Sequence, residues 1–583
     1  MRWTKVVALA AVGTVAVAGC GGGSANTKST ASNSALGDTF EKVPASAGLQ
    51  PDVKGPAAEV AGATKGGTLT FNVNSVPEST DPSVQYYQDT AAIMRLTNRT
   101  LTQFKMQGNK SVLVPDMATD LGSVSKDGLT WSFTLKPNLK YEDGTAIKAS
   151  DIKYSVERSF AVDELPGGPT YQIDYFKGGD TYKGPWQSKG GLDSIKADDA
   201  TGTISFTMRK KFASFPYFAS FTMFGGIPQA KDTKTNYQLH WISSGPYKIQ
   251  SYNKGTNLTL VKNTNWDASS DPARHQYPDT ITFNFGKDIP TTAKSIMASN
   301  GTDATTASYD GVDASILQQA LGSNKNQVAT GASPCVAWQT LDTQKIPLEV
   351  RKAIAVAYPY DQLRIAGAVT QFDYSPASTI AAPQIPGFEK YVDPMFPGKG
   401  KGDPAKAKQM LAAAGKTGFE LSYYYTNDDP TAQNVEAVRK PLLEAAGFKV
   451  KSIGVSKTER RKKVRDPKAE VNMGQGVSGG WCYDWPAGDS VYPPLFNSTL
   501  PLNGGVGNLK DKALDNEMSD ISQLPLEQQG AKWTALDKKI LTTMVPAIPT
   551  NYSKGSVIFG TKVHNTVVDP NSGMPDITGM WVG

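Results

Sequence analysis

Several groups of side chains in this 583-residue sequence have types and spacing that suggest chemistry. Gly476-Val477-Ser478-Gly479-Gly480 has the Gly-x-Ser-x-Gly form of a nucleophile elbow, which would make Ser478 the attacking group of a surface hydrolase. An elbow needs a helix directly after its serine, and Gly479, Gly480, Pro486 and Gly488 oppose one. The base is missing too: His240, His275 and His564 stand in unrelated contexts, and three isolated imidazoles make a poor metal site. Gly398-Lys399-Gly400-Lys401-Gly402 lacks the spacing of a phosphate-binding loop and precedes a helix rather than joining a strand to one, so it reads as a solvated loop. Arg460-Arg461-Lys462-Lys463 with Arg465 reads as the outer face of a helix, with an anionic partner as the weaker alternative. Trp481-Cys482-Tyr483-Asp484-Trp485 sets one carboxylate among aromatic rings. An ammonium removed from water needs such a fixed anion, and the rings help to exclude water. The competing role for Asp484 is to cap a turn before Pro486 or to pair with a lysine. No catalysis, metal or cofactor is expected.

These residues need elements to position them. Apolar and polar residues alternate through Gly66-Gly67-Thr68-Leu69-Thr70-Phe71-Asn72-Val73 and again through residues 129–136, as in half-buried strands. A strand–helix–strand unit is predicted from Phe419–Tyr425, through a helix over about 431–446, to Phe448–Lys451, with Gly447 as the helix C-cap. Another helix begins at Asp403-Pro404, an acidic N-cap followed by proline at the first helical position, and ends at Gly415. Alternating helices and strands imply α/β lobes. No internal repeat of fixed period is present, which argues against a solenoid or propeller.

The chain is long enough for two or three domains. Its 60 basic and 54 acidic residues give a net charge of +6, too mild and too mixed for a nucleic-acid partner. Near the N-terminus, Arg2 and Lys5 precede the uncharged stretch from Val6 to Gly19, the anatomy of a secretory signal peptide over residues 1–19. Val17-Ala18-Gly19-Cys20 resembles a lipobox, so Cys20 is expected to be acylated and to anchor the chain to the outer face of the cytoplasmic membrane. Residues 20–65, rich in Gly, Ser, Ala and Thr, are expected to form a flexible tether. Setting Cys20 aside leaves Cys335 and Cys482, and an even pair in an exported chain predicts a disulfide.

Three stretches together resemble the family 5 extracellular solute-binding proteins of ABC importers, the oligopeptide- and dipeptide-binding type. The first is Leu113-Val114-Pro115-Asp116-Met117-Ala118 with Asp127-Gly128-Leu129-Thr130-Trp131, Tyr141-Glu142-Asp143-Gly144-Thr145 and Asp151 to Arg158. The second is Ser244-Gly245-Pro246-Tyr247-Lys248-Ile249 with Val261-Lys262-Asn263 and Trp266. The third is Val350 to Ala357 with Asp403-Pro404-Ala405-Lys406-Ala407.

The resemblance implies an α/β, bilobed periplasmic-binding-protein type II fold with an extra inserted domain and a ligand cleft between the lobes. It places lobe I at 66–100, 229–334 and 546–583, the inserted domain at 101–228 and lobe II at 335–545. It implies capture of oligo- or dipeptides, a monomeric protein, and delivery to permease subunits with their ATPase. Oligosaccharides and metal chelates are the alternative ligands of the same scaffold. Gly480-Trp481-Cys482 matches the bridged cysteine of oligopeptide-binding relatives, and Asp484 matches the aspartate that grips the peptide ammonium there. Tyr86, Tyr87, Gln88, Tyr171, Trp481, Cys482, Trp485 and Tyr552 are expected by the same analogy to approach the cleft.

Overall fold

Alternation becomes burial in the Thr68–Asn72 strand: Leu69 and Phe71 are fully buried while Thr68 is exposed. This computed structural model describes residues 48–312, 314–466, 468–477, 479–499 and 505–583. The first strand lies between parallel neighbours Thr280–Asn284 and Thr306–Ser308, and Asn257–Lys262 and Tyr247–Asn253 extend the sheet antiparallel. Phe71 faces Phe283 in register, with the rings stacked at 5.2 Å.

A second, antiparallel sheet carries the Thr130–Thr134 strand beside Thr203–Thr207. Trp131 stands opposite Phe206 and Phe133 opposite Ile204, and both rings of the first strand pack on Phe215, at 5.9 and 5.8 Å. Farther along the chain, Glu420–Thr426, helix Pro430–Ala445 and Lys449–Val455 form the expected parallel unit. Asp429 caps the helix by accepting from the N–H groups of Thr431 and Ala432, with Pro430 at the first helical position. Asp403 caps helix Pro404–Ala413 in the same way through Lys406 N–H.

Two large hydrophobic cores follow. One gathers residues from Leu69 to Tyr309 together with Val557 to Val582; the other gathers residues from Val336 to Tyr552. The long antiparallel strands Val328–Thr340 and Ala547–Ile558 lead into the second core at one end, where Trp338 and Ile548 are buried, and Val557 belongs to the first at the other. Chain segments are tied by buried charge as well. Arg158 holds Asp81 at 2.8 Å and Asp232 at 3.2 Å, and Arg274 holds Asp116 at 2.9 Å. Burial opposes ionisation of Asp116, but the charges of Arg274 and Arg99 overcome it and keep the carboxyl well below its ordinary range.

The packed chain begins before residue 66. Of the expected tether, residues 48–65 lie along the body: Gln50 N–H donates to Leu113 at 2.9 Å, Ala57 N–H to Asp271 at 2.8 Å, and Thr64 Oγ1 to the Val582 carbonyl at 3.2 Å. Val53 packs on Val112, Val114 and Ala273. Small apolar side chains and backbone bonds suffice here, which is why a composition poor in aromatics misled. Residues 20–47, Cys20 and the leader lie outside the described residues, as does Ser478. No described helix is long and apolar enough to cross a membrane.

Candidate functional site

Asp484 follows the short strand Trp481–Cys482, and that strand is held twice. Its cysteine is joined to Cys335 by a disulfide, and Cys335 and Cys482 are register partners in an antiparallel pair. Gly480 makes the approach possible: a Cβ there would lie 2.3 Å from the Val336 carbonyl oxygen, and its φ of +136° belongs to glycine.

Two distant segments then converge on the Asp484 carboxylate. Tyr86, just before helix Gln88–Met94, donates to Asp484 Oδ2 at 2.8 Å, and Tyr171, the first residue of helix Tyr171–Tyr175, donates to the same oxygen. Oδ1 receives no hydrogen bond among the described residues, and no lysine or arginine pairs with the group. Burial pushes Asp484 up to about 7, against the opposing pull of the Tyr171 and Tyr86 hydroxyls. Burial and the Asp484 charge in turn raise both phenols well above their ordinary value, so each stays a donor.

Asp484 and Tyr86 line a cavity of about 110 Å³, joined by Gln88, Arg95, Asp569 and Asn571. Arg95 Nη1 holds Asp569 at 2.8 Å and its Nη2 donates to the Phe104 carbonyl at 2.6 Å. Gln88 reaches the Tyr483 carbonyl at 3.4 Å, and Tyr483 OH donates to Asn571 at 2.9 Å. Sequence reasoning passed over Arg95, Asp569 and Asn571, which carry no local motif.

The remaining expected residues take different places. Trp485 is 1% exposed and packs against Tyr171 at 4.5 Å and against Phe212, Phe218 and Phe221, with its indole N–H on Asp489 at 2.8 Å. It walls the site from behind rather than lining the cavity. Trp481 is half-buried and donates to the Ser490 carbonyl at 3.1 Å. Tyr87 is 46% exposed, turned outward beside Tyr86. Tyr552 lies in the second core, its hydroxyl accepting from the Ser378 and Thr379 N–H groups at 3.1 Å each. Neither Tyr87 nor Tyr552 reaches the cavity.

The other sequence motifs are scattered. His275 stacks on Tyr277 and His564 on Trp581. Among the described residues no group of three or more His, Cys, Asp or Glu side chains could hold a metal. In the glycine–lysine loop the Gly400 carbonyl accepts from Asp361 N–H and Gly400 N–H donates to the Asp361 carboxylate, each at 3.0 Å, and the basic run lies on helix Lys457–Arg465, where Lys463 pairs with Glu459 at 3.0 Å.

Residues 112–501 match the profile described as "Bacterial extracellular solute-binding proteins, family 5 Middle". The chain is 25% identical over 407 residues to the oligopeptide-binding protein OppA of Bacillus subtilis (strain 168), covering 66% of this chain and 70% of that one. It is 24% identical over 448 residues to the glutathione-binding protein GsiB of Escherichia coli O1:K1, covering 73% and 80%. Among solved structures it is similar to clavulanic acid biosynthesis oligopeptide binding protein 2, with a TM-score of 0.80, 24% identity, and 91% and 99% of the two chains covered.

Proposed function

This chain belongs to family 5 of the bacterial extracellular solute-binding proteins, a family of binding proteins and not of enzymes, and from that premise we propose that it captures peptides for import. In this reading Asp484 receives the α-ammonium of the bound peptide. The observation that carries it is the state of that carboxylate: it lines the cavity, takes both tyrosine donors on Oδ2, and has no cationic partner among the described residues. A partly exposed carboxylate that its surroundings desolvate and no counter-ion relieves is costly, and an arriving ammonium supplies both charge and N–H donors. Lobe movement encloses the ligand, with residues 66–100, 229–334 and 546–583 as lobe I, 101–228 as the inserted domain and 335–545 as lobe II.

The protein works as a monomer anchored through acylated Cys20 to the outer face of the cytoplasmic membrane, and hands its ligand to ABC permease subunits driven by their ATPase. The curated relatives named for oligopeptide and glutathione binding support a peptide as the ligand. Native mass spectrometry of protein purified without refolding tests this directly. A co-purified peptide is expected; a glycan or a metal chelate in its place overturns the reading.

A further inference from the structure

Residues 457–468 hold seven basic and two acidic side chains, a net charge of +5 in twelve residues against +6 for all 583. Ligand capture makes no use of them. Six of the seven lie on helix Lys457–Arg465, which Ser456 caps by accepting from Glu459 N–H at 3.3 Å and Asp428 pins by accepting from Lys457 N–H at 3.0 Å. Val464 is buried and Arg460 half-buried, so that side of the helix faces the body. Thr458, Lys462 and Arg465, spaced four and three residues apart, share the opposite side and are exposed, as are Lys457 and Lys468. Among the described residues the helix makes one ion pair, Lys463 with Glu459 at 3.0 Å, and Lys463 also lies over the Tyr424 ring. Lys457, Lys462, Arg465 and Lys468 have no carboxylate partner there. Val464 is the only apolar residue of the helix, so its outer side can hold a partner by charge and not by insertion.

We infer that the exposed side of helix Lys457–Arg465 docks the protein on an anionic phospholipid surface. This goes beyond ligand capture and rests on the membrane location proposed above. A body held near a bilayer always has one extended polyanionic surface within reach, the phospholipid headgroups. Unpaired cations spread along one side of a helix suit many headgroups at once, whereas a single phosphate ion is held by a converging cradle of donors. Each lysine or arginine brought to such a surface raises partition about fivefold. Docking also sets orientation. The Arg465 charge lies close enough to Tyr87 to act on its phenol, and Tyr87 adjoins Tyr86 of the cavity, so the docked face includes the Tyr87 side of that cavity.

Vesicle flotation tests it on the full chain carrying Cys20→Ser, so that no acyl group contributes. Vesicles of equal parts phosphatidylglycerol and phosphatidylcholine are compared with pure phosphatidylcholine. Binding is expected to the anionic vesicles, and to be lost at about 1 M salt, where the Debye length is roughly 3 Å. Lys457→Gln, Lys462→Gln and Arg465→Gln together should weaken it roughly 100-fold, at about fivefold per charge. Lys399→Gln with Lys401→Gln, in the glycine–lysine loop, should change it little. All five side chains are exposed, so both variants should melt with the wild type. Equal partition onto neutral vesicles, which is also what an acidic protein partner would give, overturns the inference, as does an unaffected triple variant. Displacement by inorganic phosphate at constant ionic strength would make the helix a phosphate-ion site and overturn it too. The acylated wild type on neutral vesicles reads the anchor alone: failure to bind there overturns the Cys20 reading and leaves the docking result standing.

Discussion

Tyr171 donates its phenol proton to Asp484 across 313 positions of chain, and Tyr86 donates to the same oxygen across 398. The two hydroxyls stabilise a carboxylate that, among the described residues, has no lysine or arginine paired with it and no hydrogen bond on Oδ1. Replacing that carboxylate by an amide keeps the shape and removes the charge. Asp484→Asn is expected to weaken peptide binding by about two to three orders of magnitude, the equivalent of the roughly 3–5 kcal/mol lost when a buried ion pair is broken from one side. The ligand-free variant should melt no lower than the wild type at pH 8, because it no longer desolvates an unpaired charge. Calorimetry and thermal melting read the two effects separately.

The same carboxylate makes binding depend on pH. Burial raises Asp484 from 3.8 to about 7 in the ligand-free protein, so the folded form carries an extra proton between these values. Its stability therefore declines as pH rises through that window and levels off above it. An ammonium ligand needs the ionised group, so affinity should climb towards pH 7 and fall once the peptide amine, with a pKa of about 7.7–8.0, loses its proton. Tyr86→Phe removes a donor that favours the ionised form and should move the rising limb to higher pH. Asp484→Asn should abolish it, a result that titrations from pH 5 to 9 would display.

The disulfide closes a loop of 147 residues between Cys335 and Cys482. Chain entropy assigns such a loop a stabilisation of about 4–5 kcal/mol. The double Cys→Ser variant should lose stability on that scale in denaturant melts, and the denatured, unreduced wild type should resist alkylation at both cysteines.

Gly480→Ala is expected to be among the most damaging small substitutions near the site. The added methyl would meet the Val336 carbonyl at 2.3 Å and Ala337 Cα at 2.9 Å, both backbone atoms that cannot swing away. The strand carrying Asp484 would have to retreat, so peptide affinity should drop alongside the melting temperature. Loss of stability with affinity intact would show that the strand adjusts without moving Asp484.

Much of the scaffold is written in short-range pattern. The alternation around Leu69 and Phe71, and the acid–proline caps at Asp403 and Asp429, depend on neighbours within a few residues and appear in the structure where local chemistry puts them. The cysteine pair was legible because, with Cys20 set aside as the expected lipidation site, two thiols remain with one partner each. The cavity was not legible in the same way. Arg95 sits in an ordinary helical surrounding, and only packing between segments hundreds of residues apart brings it to Asp569 and to the space that Asp484 also borders. Tyr86 and Tyr87 are adjacent and chemically alike, yet one lines the cavity and the other faces outward. Tyr552 was expected near the cleft; the Ala547–Ile558 strand instead presents it to the second core, where backbone N–H groups saturate its hydroxyl.

The path of residues 48–65 has a practical consequence for anyone shortening this protein. Leu49 bridges Leu113 in parallel, covering part of the outer strand of the hairpin formed by Thr102–Gln107 and Lys110–Pro115. A chain cut to begin at Gly66, where alternation first becomes regular, would bare that edge and strip Val53 from Val112 and Val114. Uncovered backbone donors beside exposed valines are a template for pairing with another copy. Aggregation of such a truncated protein would therefore arise from a missing cover strip, while a chain begun at Gly48 keeps the edge closed.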